Sequence, residues 1–137
     1  MTPEDIVAIA RPLLGRHSDV ENFGVIGFDS ALNTKGRAIL FRGGYDSVNV
    51  DIRVLFRWLI SHRATRFAVF HNHPSGITEP SDEDILLTRT IASAGGFMGV
   101  ELIDHIILGD GGATTLYRMR PDVWESPATT TTIRSCK

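Results

Sequence analysis

The sequence predicts an α/β fold in which a mixed sheet carries helices on its faces. Three observations lead there. Strand-like apolar runs alternate with segments of helical period, in the order helix, strand, strand, helix, strand, helix, strand, strand. The first two strands are neighbours in sequence, joined by turn residues, so they form an antiparallel hairpin and the sheet cannot be wholly parallel. The chain has 137 residues, 42% hydrophobic and 22% charged, which suits one globular core and leaves no room for two.

Each element has its own signal. Residues 3–14 read as a short helix: Thr2 is placed to cap it, Pro3 takes the first helical position, and Glu4 and Asp5 occupy the first turn. Pro12 weakens its last turn and Gly15 stops it. Residues 20–29 form a strand, residues 30–36 are turn material, and residues 37–42 form a second strand. Across residues 50–63 the period changes, with Ile52, Leu55, Phe56 and Leu59 on one helical face and Arg53 and Arg57 on another. Residues 66–71, RFAVFH, are a short apolar run ending in a polar loop, as a central buried strand would. The loop HPSGITEP then leads into a helix beginning at Ser81, which Gly95-Gly96 is expected to stop. Residues 100–108 read as a strand and residues 115–119 as an edge strand. The expected organisation is an N-terminal helix and linker at 1–19, the main domain at 20–120, and a flexible polar tail at 121–137.

Composition also excludes function classes. Lys and Arg number 14 against 16 Asp and Glu, a formal charge of −2, whereas a phosphate-tracking domain carries a basic excess. Nucleic acid is therefore not the expected partner. No apolar run approaches the roughly 18 residues of a membrane helix. The N-terminus carries acids where a signal peptide would carry positive charge, and a cytoplasmic location is expected. Cys136 is the single cysteine, which rules out an internal disulfide and a multi-thiolate metal site.

The chemistry lies in His71-Asn-His73-Pro74-Ser-Gly76 followed by Ser81-Asp-Glu-Asp84. Residues two apart on an extended chain point the same way, so His71 and His73 can converge on one ion. Asp84, on the first turn of the next helix, can supply a third ligand. Two imidazoles and a carboxylate leave one tetrahedral position for water, the pattern of catalytic rather than structural zinc. A plainer reading stands beside this one. Ser81-x-x-Asp84 is also a capping box with Asp in place of Glu, and HNHP can be a turn. His105, among Ile103, Ile106 and Ile107, reads as a buried hydrogen-bonded histidine rather than a ligand. Asp104 is a weaker candidate for orienting a metal-bound imidazole. Asn72 reads as a turn former, and His17 and His62 as surface residues.

The spacing His71-x-His73-x7-Ser81-x2-Asp84 resembles the JAMM signature of the JAB/MPN metalloprotease superfamily. The fuller string HNHPSG…PS..D…T, with the later Asp104-His105-Ile-Ile, is similar to its RadC branch; the likeness covers residues 20–117. The resemblance implies a three-layer α-β-α fold with a mixed central sheet, related to the cytidine-deaminase fold. It further implies zinc ligands at His71, His73 and Asp84, a catalytic Glu21, and a Ser81 that stabilises the oxyanion. Longer RadC proteins carry a helix-hairpin-helix module ahead of this domain; only 20 residues precede Glu21, so the chain resembles the isolated JAB domain.

These features imply a zinc metallopeptidase or isopeptidase acting on a protein or peptide. The alternatives are a metal-binding interaction module and, more weakly, a metal-dependent nuclease. Base deamination is excluded, because the chain has no HxE triplet and its one cysteine is near the C-terminus. The sequence does not assign an oligomeric state.

Overall fold

The structure is a computed structural model describing residues 1–15, 19–43 and 49–125. His17 and the segment 126–137 with Cys136 lie outside the described residues.

Helix α1 (Pro3–Leu14) begins in a capping box: Asp5 N donates to Thr2 Oγ1 at 3.2 Å and Thr2 N donates to Asp5 Oδ2 at 2.7 Å. It ends at Gly15 with φ 54°. Strands β1 (Asn22–Phe28) and β2 (Thr34–Arg42) form the expected antiparallel hairpin. Their connection is tighter than the expected loop. The Asp29 carboxylate accepts from the Ala31 and Asn33 amides at 3.0 and 2.9 Å, and β2 therefore starts at Thr34 rather than residue 37. Helix α2 (Ile52–Ser61) is capped by Asp51, which accepts from Arg53 N at 2.9 Å, and it buries Leu55, Phe56 and Leu59. His62, expected at the surface, is half-buried and stacked on Trp58 with ring centroids 3.9 Å apart. Strand β3 (Arg66–Asn72) is buried along nearly its whole length.

Helix α3 (Asp82–Met98) runs through the two glycines expected to stop it. Gly95 is there for close approach: a Cβ at this position would lie 2.3 Å from the Val100 carbonyl oxygen, where the chain turns back into the sheet. Gly99 is the actual stop, left-handed at φ 74°, its N–H donating to Gly95 O.

Strand β4 (Glu101–Leu108) follows. The expected edge strand at 115–119 is instead a short strand β5 (Ala113–Thr115) followed by a helical turn α4 (Leu116–Met119). The reason is a carboxylate from β4. Asp104 accepts from the Thr115 hydroxyl and the Tyr117 amide, which satisfies the start of the turn and seats the buried Leu116. Residues Pro121–Trp124 form a 3₁₀ turn with Val123 buried, and Trp124 Nε1 donates to Leu102 O at 2.8 Å.

The sheet order is β2-β1-β3-β4-β5, with β3 and β4 parallel and the other pairs antiparallel. Its two faces bury separate clusters. On one face Ile6, Ala10 and Leu14 of α1 pack on Ile26, Phe28, Ala68, Phe70, Ile106 and Leu108. On the other, Leu55, Phe56 and Leu59 of α2 and Ile91 of α3 pack on Phe23, Val25, Phe67, Val69 and Leu102. This is the expected three-layer α-β-α arrangement with a mixed sheet. Among the described residues, no helix is long and apolar enough to cross a membrane.

Candidate metal centre

His71 lies near the end of β3, His73 just beyond it, and Asp84 in the first turn of α3. Strand alternation puts His71 on the same face as Phe67 and Val69, the face that α3 covers. Glu21 immediately precedes β1, where Phe23 pairs with His71. Two buried asparagines fix this corner. Asn72 Oδ1 accepts from Asn22 N at 2.7 Å, and Asn72 Nδ2 donates to Val20 O at 2.9 Å. Glu21 is therefore held between two residues tied to the end of β3, and its own carbonyl accepts from Gly43 N at 2.8 Å. Asn72, expected to be a turn former, is a cross-strand tie. The signal missed was its parity, since it alternates with His71 and points to the opposite face.

Four side chains converge. Glu21, His71, His73 and Asp84 each present one ligand atom, all within 4.8 Å of one another. His71 Nε2 lies 3.0 Å from His73 Nε2 and 3.2 Å from Asp84 Oδ1; His73 Nε2 lies 3.2 Å from Asp84 Oδ2. Glu21 Oε1 stands further back, 3.9 Å from His71 Nε2. Both imidazoles have their other nitrogen engaged outside the cluster, His71 Nδ1 with His105 at 2.7 Å and His73 Nδ1 with Ile77 O at 2.8 Å. The Ile77 carbonyl can only accept, so His73 Nδ1 carries the proton and a neutral ring turns a bare Nε2 inward. Such a donor set, two imidazole nitrogens and a carboxylate at contact distance with a second carboxylate behind them, fits a divalent cation.

Burial pushes the Asp84 carboxyl up, but the Ser81 amide, and the His71 and His73 rings whenever they carry a hydrogen on Nε2, overcome this and hold it well below the usual carboxylate range. The hydrogen bond to Asp84 raises His73, against the opposing effect of burial. Ser81 and Asp84 also make the capping box: Asp84 N donates to Ser81 Oγ at 3.1 Å and Ser81 N donates to Asp84 Oδ2 at 2.9 Å. The capping and ligand readings of this tetrad are compatible, because one carboxylate faces both the helix start and the cluster.

His105 does not join the cluster. His105 is fully buried, with Nε2 against His71 Nδ1 and Nδ1 2.6 Å from Thr88 Oγ1. The contact to a cluster imidazole thus comes from His105 and not from Asp104, whose carboxylate accepts from His105 N, Thr115 and Tyr117. The two residues are adjacent on β4 and point to opposite faces, which sequence alone does not assign. Thr88 closes the string HNHPSG…PS..D…T but was given no role from the sequence, although its spacing of four residues from Asp84 places it on the same side of α3.

The RadC-like JAB domain family matches residues 1–120. The chain belongs to the RadC-like JAB domain family. Relatives of this JAB domain include a UPF0758 protein of Moorella thermoacetica, 36% identical over 122 residues, covering 83% of this chain and 49% of the relative. A UPF0758 protein of Salinibacter ruber is 40% identical over 114 residues, covering 83% and 48%. One from Porphyromonas gingivalis is 41% identical over 86 residues, covering 60% and 38%. The chain thus spans about half or less of the length of these relatives. What the JAB domain and its geometry establish together is a family fold with a buried His/Asp/Glu cluster able to bind a metal ion.

Proposed function

We propose that this JAB domain is a zinc-dependent hydrolase that cleaves an amide bond in a protein or peptide. In this reading His71, His73 and Asp84 hold the metal and Glu21 is the general base. One observation carries it: three of the four groups lie within 3.0–3.2 Å of a neighbour in the cluster, while Glu21 stands back at 3.9 Å. That is the placement of a carboxylate that handles a proton rather than of a fourth ligand. Zinc, when bound, supplies a water acidified towards neutrality and polarises a carbonyl oxygen.

The chain's own residues do the rest. The Glu21 carboxylate, buried and held by the Asn22–Asn72 tie, takes a proton from the attacking water and returns it to the leaving amine. Ser81 accepts from the Asp84 amide at its oxygen, which leaves its hydroxyl hydrogen to donate to a developing oxyanion. Asp84 makes the ligand set anionic, and the bonds from His105, the Ile77 carbonyl and the Ser81 amide hold the two rings and the carboxylate in place. The acidic balance of the chain, −2, supports a polypeptide rather than a nucleic acid as substrate.

The test is zinc content by elemental analysis, together with cleavage of a complex peptide mixture followed by mass spectrometry, in wild type and Glu21→Gln. The expected result is about one zinc per chain in both proteins, with cleavage only in wild type. Undiminished cleavage by Glu21→Gln removes Glu21 as the base. Absence of zinc from folded wild type after zinc is supplied removes the metal reading.

A further inference from the structure

The hydrogen-bond chain behind the metal cluster has a direction, and hydrogen counting gives it. Three contacts run in series: Asp84 O to Thr88 Oγ1 at 2.6 Å, Thr88 Oγ1 to His105 Nδ1 at 2.6 Å, and His105 Nε2 to His71 Nδ1 at 2.7 Å. Each needs one hydrogen. Neutral rings and the hydroxyl supply three between them, and the Asp84 carbonyl supplies none. His105 is neutral: it is fully buried, it packs edge-on against Phe23 with centroids 5.9 Å apart, and no carboxylate among the described residues bonds either ring nitrogen. Only one arrangement then fills all three contacts. Thr88 donates to Asp84 O, His105 Nδ1–H donates to Thr88, and His71 Nδ1–H donates to His105 Nε2. In a neutral His71 ring the nitrogen left without a hydrogen is then Nε2, the one that faces His73, Asp84 and Glu21.

We propose that Thr88 and His105 are positioning residues that lock His71 in the tautomer with Nε2 bare towards the cluster, an inference that rests on the metal reading above. The two act through His71 and touch no substrate. The chain also couples ligand-bearing elements. It starts on the main chain of Asp84 in α3, crosses β4 at His105, and ends on the ring at the end of β3. The β3–β4 register sets this up, since His105 sits opposite Val69, the same-face neighbour two residues before His71. Removing the Thr88 hydroxyl takes away the acceptor for His105 Nδ1–H. His105 is then free to carry its hydrogen on Nε2 and donate it to His71 Nδ1, which drives the His71 hydrogen onto the ligating nitrogen.

The experiment compares wild type, Thr88→Val and Thr88→Ser as the full chain. It reads zinc affinity by competition with a chromophoric chelator and ring tautomers by ¹⁵N NMR of the metal-free protein. Wild type is expected to show protected Nδ1–H protons on both His71 and His105. Thr88→Val, which keeps the shape, should lose them and bind zinc about 10–100-fold more weakly. Thr88→Ser, which restores the hydroxyl, should recover both readouts, which a packing role would not require. Wild-type affinity and tautomers in Thr88→Val overturn the proposal. Should Thr88→Val not fold, His105→Gln against His105→Leu decides: the amide oxygen can accept from His71 Nδ1–H and the leucine cannot, so equal zinc affinity overturns it. If wild type takes up no zinc, the metal reading fails, and the metal-free tautomers still test the chain. Absence of the His71 Nδ1–H signal there overturns the chain itself.

Discussion

Asp84→Asn separates the two roles that one carboxylate holds in the structure. Turned so that its oxygen accepts from Ser81 N, the amide keeps the capping box, in which Asp84 Oδ2 now lies 2.9 Å from that amide nitrogen. The NH₂ group then faces His71 Nε2, 3.2 Å from the atom it replaces, and donates to it. What the helix start loses is a charge at the positive end of its dipole, worth about 0.3–1 kcal/mol. Removing the carboxylate also relieves its repulsion with Glu21. Above the pH at which His73 gives up its proton, the metal-free variant should therefore melt within a few degrees of wild type. On the proposed ligand set zinc should behave differently, because the substitution removes an anionic ligand and points a donor at His71 Nε2. At a hundredfold excess over Kd, zinc stabilises wild type by about 2.7 kcal/mol. For a chain of this length roughly 3–5 °C accompany each kcal/mol, so wild type should gain about 10 °C. Asp84→Asn should gain almost nothing. Thermal melts by circular dichroism, with zinc and with a chelator, read both effects. A full zinc shift in Asp84→Asn refutes Asp84 as a ligand, and a metal-free variant that does not fold refutes the retained cap.

Two further outcomes follow from the same geometry. The hydrogen bond to Asp84 raises His73, so its contribution is present below about pH 6.5 and is lost as pH rises through the raised folded value. Burial, with the nearby His71 adding to it, lowers His105, which the unfolded chain protonates below about pH 6.5, so that stability falls on the acid side. Metal-free protein should thus be most stable near pH 6.5, and saturating zinc, which displaces the His73 proton, should move the maximum upward; parallel melting profiles with and without zinc would refute this. Asn72→Ala removes the bonds to Asn22 N and Val20 O, at a cost of about 1–3 kcal/mol. It should lower kcat more than zinc affinity, because it loosens Glu21 while leaving His71, His73 and Asp84 in place; equal losses in both would argue against the tie.

Local chemistry was legible in the sequence where one element suffices to express it. The Thr2 and Ser81 caps, the apolar face of α2 and the convergence of His71 with His73 all follow from spacing within a few residues. Features that need a partner from elsewhere in the chain were not legible. Gly95 looks like a helix stop until the Val100 carbonyl is seen lying 2.3 Å from where its Cβ would be. Residues 115–119 look like a strand until Asp104 from β4 takes the Tyr117 amide. The same holds at the site. Asn72 becomes a tie only through the β1–β3 register, and Thr88 acquires a role only when His105 arrives from β4.

Charge explains why carboxylates crowd this junction. A cation beside the start of α3 meets the positive end of the helix dipole, which opposes binding. The first turn offsets this with Asp82, Glu83 and Asp84, and Glu21 adds a further carboxylate from the β1 side. Without a cation, Asp84 instead favours a proton on His73. An imidazole so placed chooses between proton and metal. The Thr88–His105 chain biases that choice at His71 by placing its hydrogen on the far side of the ring. At His73 the Ile77 carbonyl does the same. Both rings are thus held from behind by groups that coordinate nothing, and the cluster presents bare nitrogens towards its centre.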